Sequence, residues 1–132
     1  MTPLARARGS MVLCVDDDSA GLRIRRMFLE SLGYKVLTAL DGTAGLELLA
    51  TQPVHAVVLD YLMPGMNGGE VAEAMKRLKP EVKILLYSAY VNLPDEALRW
   101  VDRSAVKGIG PAEFVEALRQ ILPCEKSSDP AC

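Results

Sequence analysis

What this chain lacks narrows it first. No apolar run approaches the ~20 residues that a membrane-crossing helix needs, and no hydrophobic stretch of the secretory kind follows the arginines of the opening MTPLARARGS. The expected location is cytoplasmic, with no membrane contact. A basic excess is also missing: the net charge is −2 and the pI about 5.4. Nucleic-acid recognition needs a concentrated basic surface, so no DNA binding by this chain is expected. Cys14, Cys124 and Cys132 form neither an even set nor a C-x-x-C pair, which excludes a disulfide framework. Cys14, inside an apolar run, reads as a small core residue, and the other two as free thiols. There is no internal repeat, and low-complexity sequence is confined to the two ends. With 132 residues, half of them hydrophobic, the chain can build one real core and not two.

What is present is an alternation of short apolar runs and helical spacings. MVLCV (11–15) has the pattern of a buried strand and ends in three acids, Asp16, Asp17 and Asp18. From Ser19 the spacing is helical, with Ile24, Met27, Phe28, Leu29 and Leu32 on one side; Arg23, Arg25 and Arg26 read as a solvated face, and Gly33 as the stop. Tyr34 to Leu40 is a strand that alternates at first, as near a sheet edge. Thr43 is the expected N-cap of a helix that turns Ala44, Leu48 and Leu49 inward and closes before Pro53.

Ala56 to Leu59 is a third buried strand, and Asp60 follows it directly. Pro64, Gly65, Asn67 and Gly68 supply turn chemistry before a helix from about Gly69 to Leu78 with Val71, Met75 and Leu78 inward. Val82 to Tyr87 is a fourth strand, ending at Ser88 and the small Ala89. Pro94 fits the first turn of a helix carrying Ala97, Leu98 and Val101. Ser104 to Val106 is a short strand ending at Lys107, and Pro111 opens a last helix with Phe114, Val115, Leu118, Ile121 and Leu122 apolar. The expected organisation is a flexible leader (1–10), one domain (11–122) and a flexible tail (123–132).

Five strands alternating with five helices over short connections predict an α/β fold, a parallel sheet covered on both faces. Right-handed crossovers then bring every strand's carboxyl end to one edge, where ligands bind in open sheets. Asp16, Asp17, Asp60, Ser88 and Lys107 all fall there. His55, the only histidine, enters the strand that Asp60 leaves. It stands ~16 Å away at the opposite end and reads as structural.

Three carboxylates gathered at one edge repel one another unless a cation joins them. Magnesium, or manganese in its place, suits an all-oxygen set of one or two carboxylates, waters and a phosphate. Asp17 and Asp60 are the expected direct ligands, Asp16 acts through water, and the backbone carbonyl of Leu62 completes the set. Asp60 can then attack phosphorus as a nucleophile. Lys107, the Ser88 hydroxyl and backbone N–H groups neutralise the phosphoryl oxygens, and the small Ala89 leaves room for them. Leu62 and Tyr90 flank the approach of a hydrolytic water; Leu62 cannot hold that water, so a long-lived aspartyl phosphate is expected.

The segments VLCVDDD (12–18), VVLDYLMPGMNGGE (57–70), LLYSA (85–89) and VKGIGPAEF (106–114) together resemble the receiver domain of bacterial two-component response regulators, in its single-domain, chemotaxis-regulator form. The resemblance implies a doubly wound (βα)5 flavodoxin-like sandwich with strand order 2-1-3-4-5. It implies Asp60 as phosphoacceptor, Asp16 and Asp17 as the metal pair, Ser88 as switch hydroxyl and Lys107 as phosphate-binding lysine. The implied donor is a sensor histidine kinase or a histidine phosphotransfer protein. Output would run through an unknown downstream protein, from a monomer or weak dimer. No conventional turnover is implied beyond self-phosphorylation from a donor and slow autodephosphorylation.

Three positions depart from the family pattern: Gly108 replaces the proline after the lysine, Ser104 replaces an aromatic, and Trp100 replaces a helix-ending glycine. A non-proline cis bond costs ~2.5–4 kcal/mol, so a trans Lys107–Gly108 bond is expected. Two other functions compete. One is a haloacid-dehalogenase-like phosphatase using Asp16 as nucleophile and Asp18 as acid, although GIGPAEF lacks the further acid pair such enzymes need. The other is an interaction module that keeps the fold without phosphorylation.

Overall fold

The computed structural model describes residues 9–90 and 92–122. The expected flexible tail, with Cys124 and Cys132, and all but the last two residues of the expected leader lie outside that range. Ten elements follow in strict alternation: β1 (Met11–Val15), α1 (Ser19–Ser31), β2 (Lys35–Ala39), α2 (Gly42–Thr51), β3 (Ala56–Leu59), α3 (Gly68–Leu78), β4 (Lys83–Ser88), α4 (Asp95–Leu98), β5 (Arg103–Val106) and α5 (Pro111–Ile121). All neighbouring strands are parallel, in the order β2-β1-β3-β4-β5.

Successive strand residues point to opposite faces, and this divides the core in two. Leu13, Val15, Val57, Leu59, Ile84 and Leu86 meet Leu49, Val71 and Met75 from α2 and α3. Val12, Cys14, Ala56, Val58 and Leu85 meet Leu22, Leu29, Phe114 and Leu118 from α1 and α5. β1 and β3 are therefore apolar throughout and β4 is apolar between Lys83 and Ser88, whereas β2 and β5, each at an edge, are partly exposed. Cys14 is fully buried, and burial pushes its thiol up to about 12. It is a core residue.

Several helices sit differently from the sequence reading. On α1 the buried residues are Leu22 and Leu29, while Ile24 and Met27 are 70% and 65% exposed. The stripe facing the sheet runs Leu22, Arg25, Leu29 at three- and four-residue steps, so Ile24 and Met27 fall outside it. On α3 the inner positions are Val71, Ala72 and Met75, and Leu78 is exposed. The i, i+4 ridge continues instead to Lys79, whose Nζ donates to the Gln52 carbonyl at 3.0 Å. Asp41, not Thr43, caps α2, accepting from the Ala44 N–H at 2.8 Å.

The fourth helix is a single turn with Pro94 at its N-cap, and Val101 lies beyond it. The chain leaves the helical path to bring Asp102 back to the sheet. There its Oδ2 accepts from the Ile84 N–H at 2.8 Å and from Lys76 Nζ at 2.7 Å. Trp100 packs against the core, with the guanidinium groups of Arg77 and Arg99 at 5.3 and 5.5 Å from its ring centre.

Candidate functional site

Strand register alone brings the first two acids together. Val15 is paired with Leu59, so Asp16 and Asp60 leave β1 and β3 side by side, and the Asp60 N–H donates to the Val15 carbonyl at 2.9 Å. One carboxylate oxygen each from Asp16, Asp17 and Asp60 lies within 4.8 Å of the others. Asp16 and Asp60 are buried and Asp17 is exposed. Lys107, leaving β5, spans the pair: its Nζ is 2.7 Å from Asp16 Oδ2 and 3.1 Å from Asp60 Oδ1. Its N–H donates to the Ser88 carbonyl at 2.7 Å, which ties β5's exit to that of β4. The Ser88 hydroxyl is buried and accepts from the Tyr90 N–H at 3.1 Å, and Ala89 beside it is exposed.

Of the residues expected from the sequence, Asp16, Asp17, Asp60, Ser88 and Lys107 thus stand at one edge. His55 does not: at the entry of β3 its Nδ1 accepts from the Met11 N–H at 2.9 Å, a structural role. Asp18 occupies the N-cap of α1 without a side-chain capping bond, and its N–H donates to Asp16 Oδ1 at 3.0 Å.

The sequence assigns Arg25 to a solvated face, whereas the structure turns it inward. Its side chain is 12% exposed, with Nη1 at 3.5 Å from Asp16 Oδ2 and the guanidinium 5.0 Å from the Tyr87 ring centre. The available signal was positional: Arg25 lies three residues after Leu22 and four before Leu29.

The two buried acids are held in opposite electrostatic states. Burial pushes Asp16 up, but the Lys107 hydrogen bond, the Asp18 N–H and the charges of Lys107 and Arg25 outweigh it, and its pKa falls below the usual value. Asp60 is raised, first by burial and then by the charge of Asp16, against the opposing pull of Lys107. Burial alone would lower Lys107, but hydrogen bonds to Asp16 and Asp60 raise it, so it stays an ammonium. Asp60 is the acid left short of compensation. An all-carboxylate set with this unbalanced charge fits a hard divalent cation.

Two glycines shape the loops around it. A Cβ on Gly68 would lie 2.6 Å from the Asp60 carbonyl oxygen and 2.8 Å from Tyr61 Cα, so only glycine lets α3 start this close. Its N–H donates to the Tyr61 carbonyl at 2.6 Å. Gly108 has φ +101°, and no peptide bond among the described residues is cis. The Lys107–Gly108 bond is trans, as expected from the missing proline. Ser104, on the edge strand, is exposed.

This is a doubly wound α/β protein whose acidic centre lies at the carboxyl edge of its two middle strands. Its sequence matches the response regulator receiver domain family over residues 12–119, and the chain belongs to that family. Among curated relatives, response regulator MprA of Mycobacterium leprae is 32% identical over 124 residues, covering 91% of this chain and 54% of that protein. Several of the curated relatives it matches are longer: the chain spans 8% of sensor histidine kinase GacS of Pseudomonas protegens and 54% of MprA. Response regulator TrrA of Thermotoga maritima, solved in complex with Mg(2+)-BeF, superposes with TM-score 0.81 at 29% identity, over 86% of this chain and 99% of that one. TrrA solved in complex with histidine kinase ThkA gives 0.80 at 30% identity over the same shares.

Proposed function

We propose that this domain is a phosphoacceptor switch: Asp60 takes a phosphoryl group from a phosphohistidine, and the altered site signals through protein contact. The observation that carries this is the convergence of Asp16, Asp17 and Asp60 within 4.8 Å under the Lys107 ammonium. In the transfer, an Asp60 carboxylate oxygen bonds to phosphorus as the phosphorus–nitrogen bond to the donor imidazole breaks, and the imidazole leaves with that electron pair. Asp17 and Asp60, with Asp16 and the Leu62 carbonyl, would hold Mg2+ or Mn2+, which supplies charge neutralisation for the phosphoryl oxygens.

The chain's own residues do the rest. Lys107 already touches Asp60 and follows the anion when it arrives on that carboxylate. The Ser88 hydroxyl turns from the Tyr90 N–H towards a phosphoryl oxygen. Ala89 leaves space for it, and Leu62 and Tyr90, each 51% exposed, flank the entrance.

The partner reading rests on the likeness to TrrA, which was solved in complex with a histidine kinase. The phosphatase alternative finds less support. Asp16 Oδ2 carries Lys107 and Arg25, and its Oδ1 accepts from the Asp18 N–H, which makes it a fixed anion rather than a free nucleophile.

Incubation with acetyl phosphate and Mg2+ should add one acid-labile phosphoryl group, detected by intact mass and mapped to Asp60. Uptake that survives Asp60→Ala would remove the proposal.

A further inference from the structure

Arg25 is charged, nearly buried, and unused by the chemistry above. It occupies the sheet-facing stripe of α1 between Leu22 and Leu29, where an apolar residue would pack without desolvating a charge. Its compensation comes from two sources: Asp16 Oδ2 at 3.5 Å and the face of Tyr87 at 5.0 Å, Tyr87 itself lying 4.9 Å from the Phe114 ring of α5. Asp16 therefore already serves three donors: Lys107 and Arg25 on one oxygen, the Asp18 N–H on the other.

We propose that Arg25 is a positioning residue of the acidic centre, holding Asp16 in place of a divalent cation and weakening cation binding by competing for that carboxylate. This inference rests on the metal-dependent reading of Asp16, Asp17 and Asp60. A cation that draws on Asp16 must share it with a guanidinium it repels. Arg25 then loses one of its two partners and turns more fully to Tyr87, which passes the event to the α5 side of the sheet. The opposite face, where Ser104 stands in place of an aromatic, takes no part in this route.

The test titrates MgCl2 into the native protein, Arg25→Leu, Arg25→Gln and Arg25→Lys by calorimetry, while NMR follows the Tyr87 and Phe114 ring resonances. Leucine fits the apolar stripe, glutamine keeps the length without the charge, and lysine keeps a charge. Removing one positive charge at this range should tighten the Mg2+ Kd by about 3- to 30-fold in the leucine and glutamine variants. Arg25→Lys should lie nearer the native value. The Tyr87 shift on Mg2+ addition should be present in the native protein and lost in Arg25→Leu.

Native binding with unchanged or weaker affinity in both neutral variants overturns the inference and leaves the metal centre standing. Binding by the neutral variants alone supports it in its strongest form. No binding by any of the four proteins overturns both readings.

Discussion

At the scale of single residues, the unequal treatment of Asp16 and Asp60 has measurable consequences. Asp60 has a raised pKa, so its ionised form costs stability above that pKa, and the cost disappears as pH falls through it. Asp60→Asn should therefore raise the thermal midpoint of the metal-free protein at pH 7.5 by ~3–5 °C, on the order of 1 kcal/mol. The gain should shrink as pH is lowered towards 3.8, the ordinary value of an aspartate; a constant gain would refute the electrostatic cause. Leu62, half exposed and two residues after Asp60, has no polar group with which to orient water. Leu62→Asn should shorten the phosphate lifetime several-fold, measured by loss of the added mass after the donor is removed, and equal lifetimes would count against this. At Gly108, restoring the family's proline should not help. Its φ of +101° is closed to proline, so Gly108→Pro should lower stability by ~2 kcal/mol or more in chemical denaturation.

At the scale of elements, the loop between β3 and α3 decides how the phosphoacceptor is held. Asn67 and Glu70 cap α3 reciprocally: Asn67 accepts from the Glu70 N–H, and Glu70 accepts from the Asn67 N–H, both at 3.0 Å. Gly68 follows, where an added Cβ would run into the Asp60 carbonyl oxygen. Gly68→Ala should cost ~2–3 kcal/mol and slow loading from acetyl phosphate, because the atom displaced belongs to Asp60 itself. A variant with native loading kinetics would show that the loop yields freely. Strand identity was legible in the sequence because fully buried strands such as AVVL (56–59) leave a continuous apolar signature between turn residues. Helix faces were less so. In α1, apolar residues occupy both sides, and a cation takes the place of an apolar residue on the inner one. In the fourth helix, the need to seat Asp102 against β4 ended the helical path after one turn, and no local periodicity carries that long-range demand.

At the scale of the whole molecule, the site was legible because parallel topology is so restrictive. Once five strands alternate with helices, residues at their carboxyl ends must meet, and the positions of Asp16, Asp60 and Lys107 follow without any knowledge of side-chain geometry. What sequence could not supply was the order of contacts within the cluster, above all that two cations sit on Asp16. Global stability should register the cluster too. If Mg2+ binds only the folded chain, ten times its Kd should add ~1.4 kcal/mol, and chelation should remove it. In Asp17→Asn the effect should largely vanish, and it should fade in the native protein as pH falls through the raised pKa of Asp60; a Mg2+ gain unaffected by either change would place the ion elsewhere.

Lys107 meets Asp16 across 91 positions of sequence, a separation with a consequence for synthesis. A ribosome delivers the acids of the first and third strands, with Arg25 between them, well before the lysine of the fifth, so the emerging chain passes through a stage in which Arg25 alone offsets the repulsion at its own centre. Only when the fifth strand docks does the cluster acquire the ammonium that reaches Asp60, so a late strand of the domain lets an early one settle.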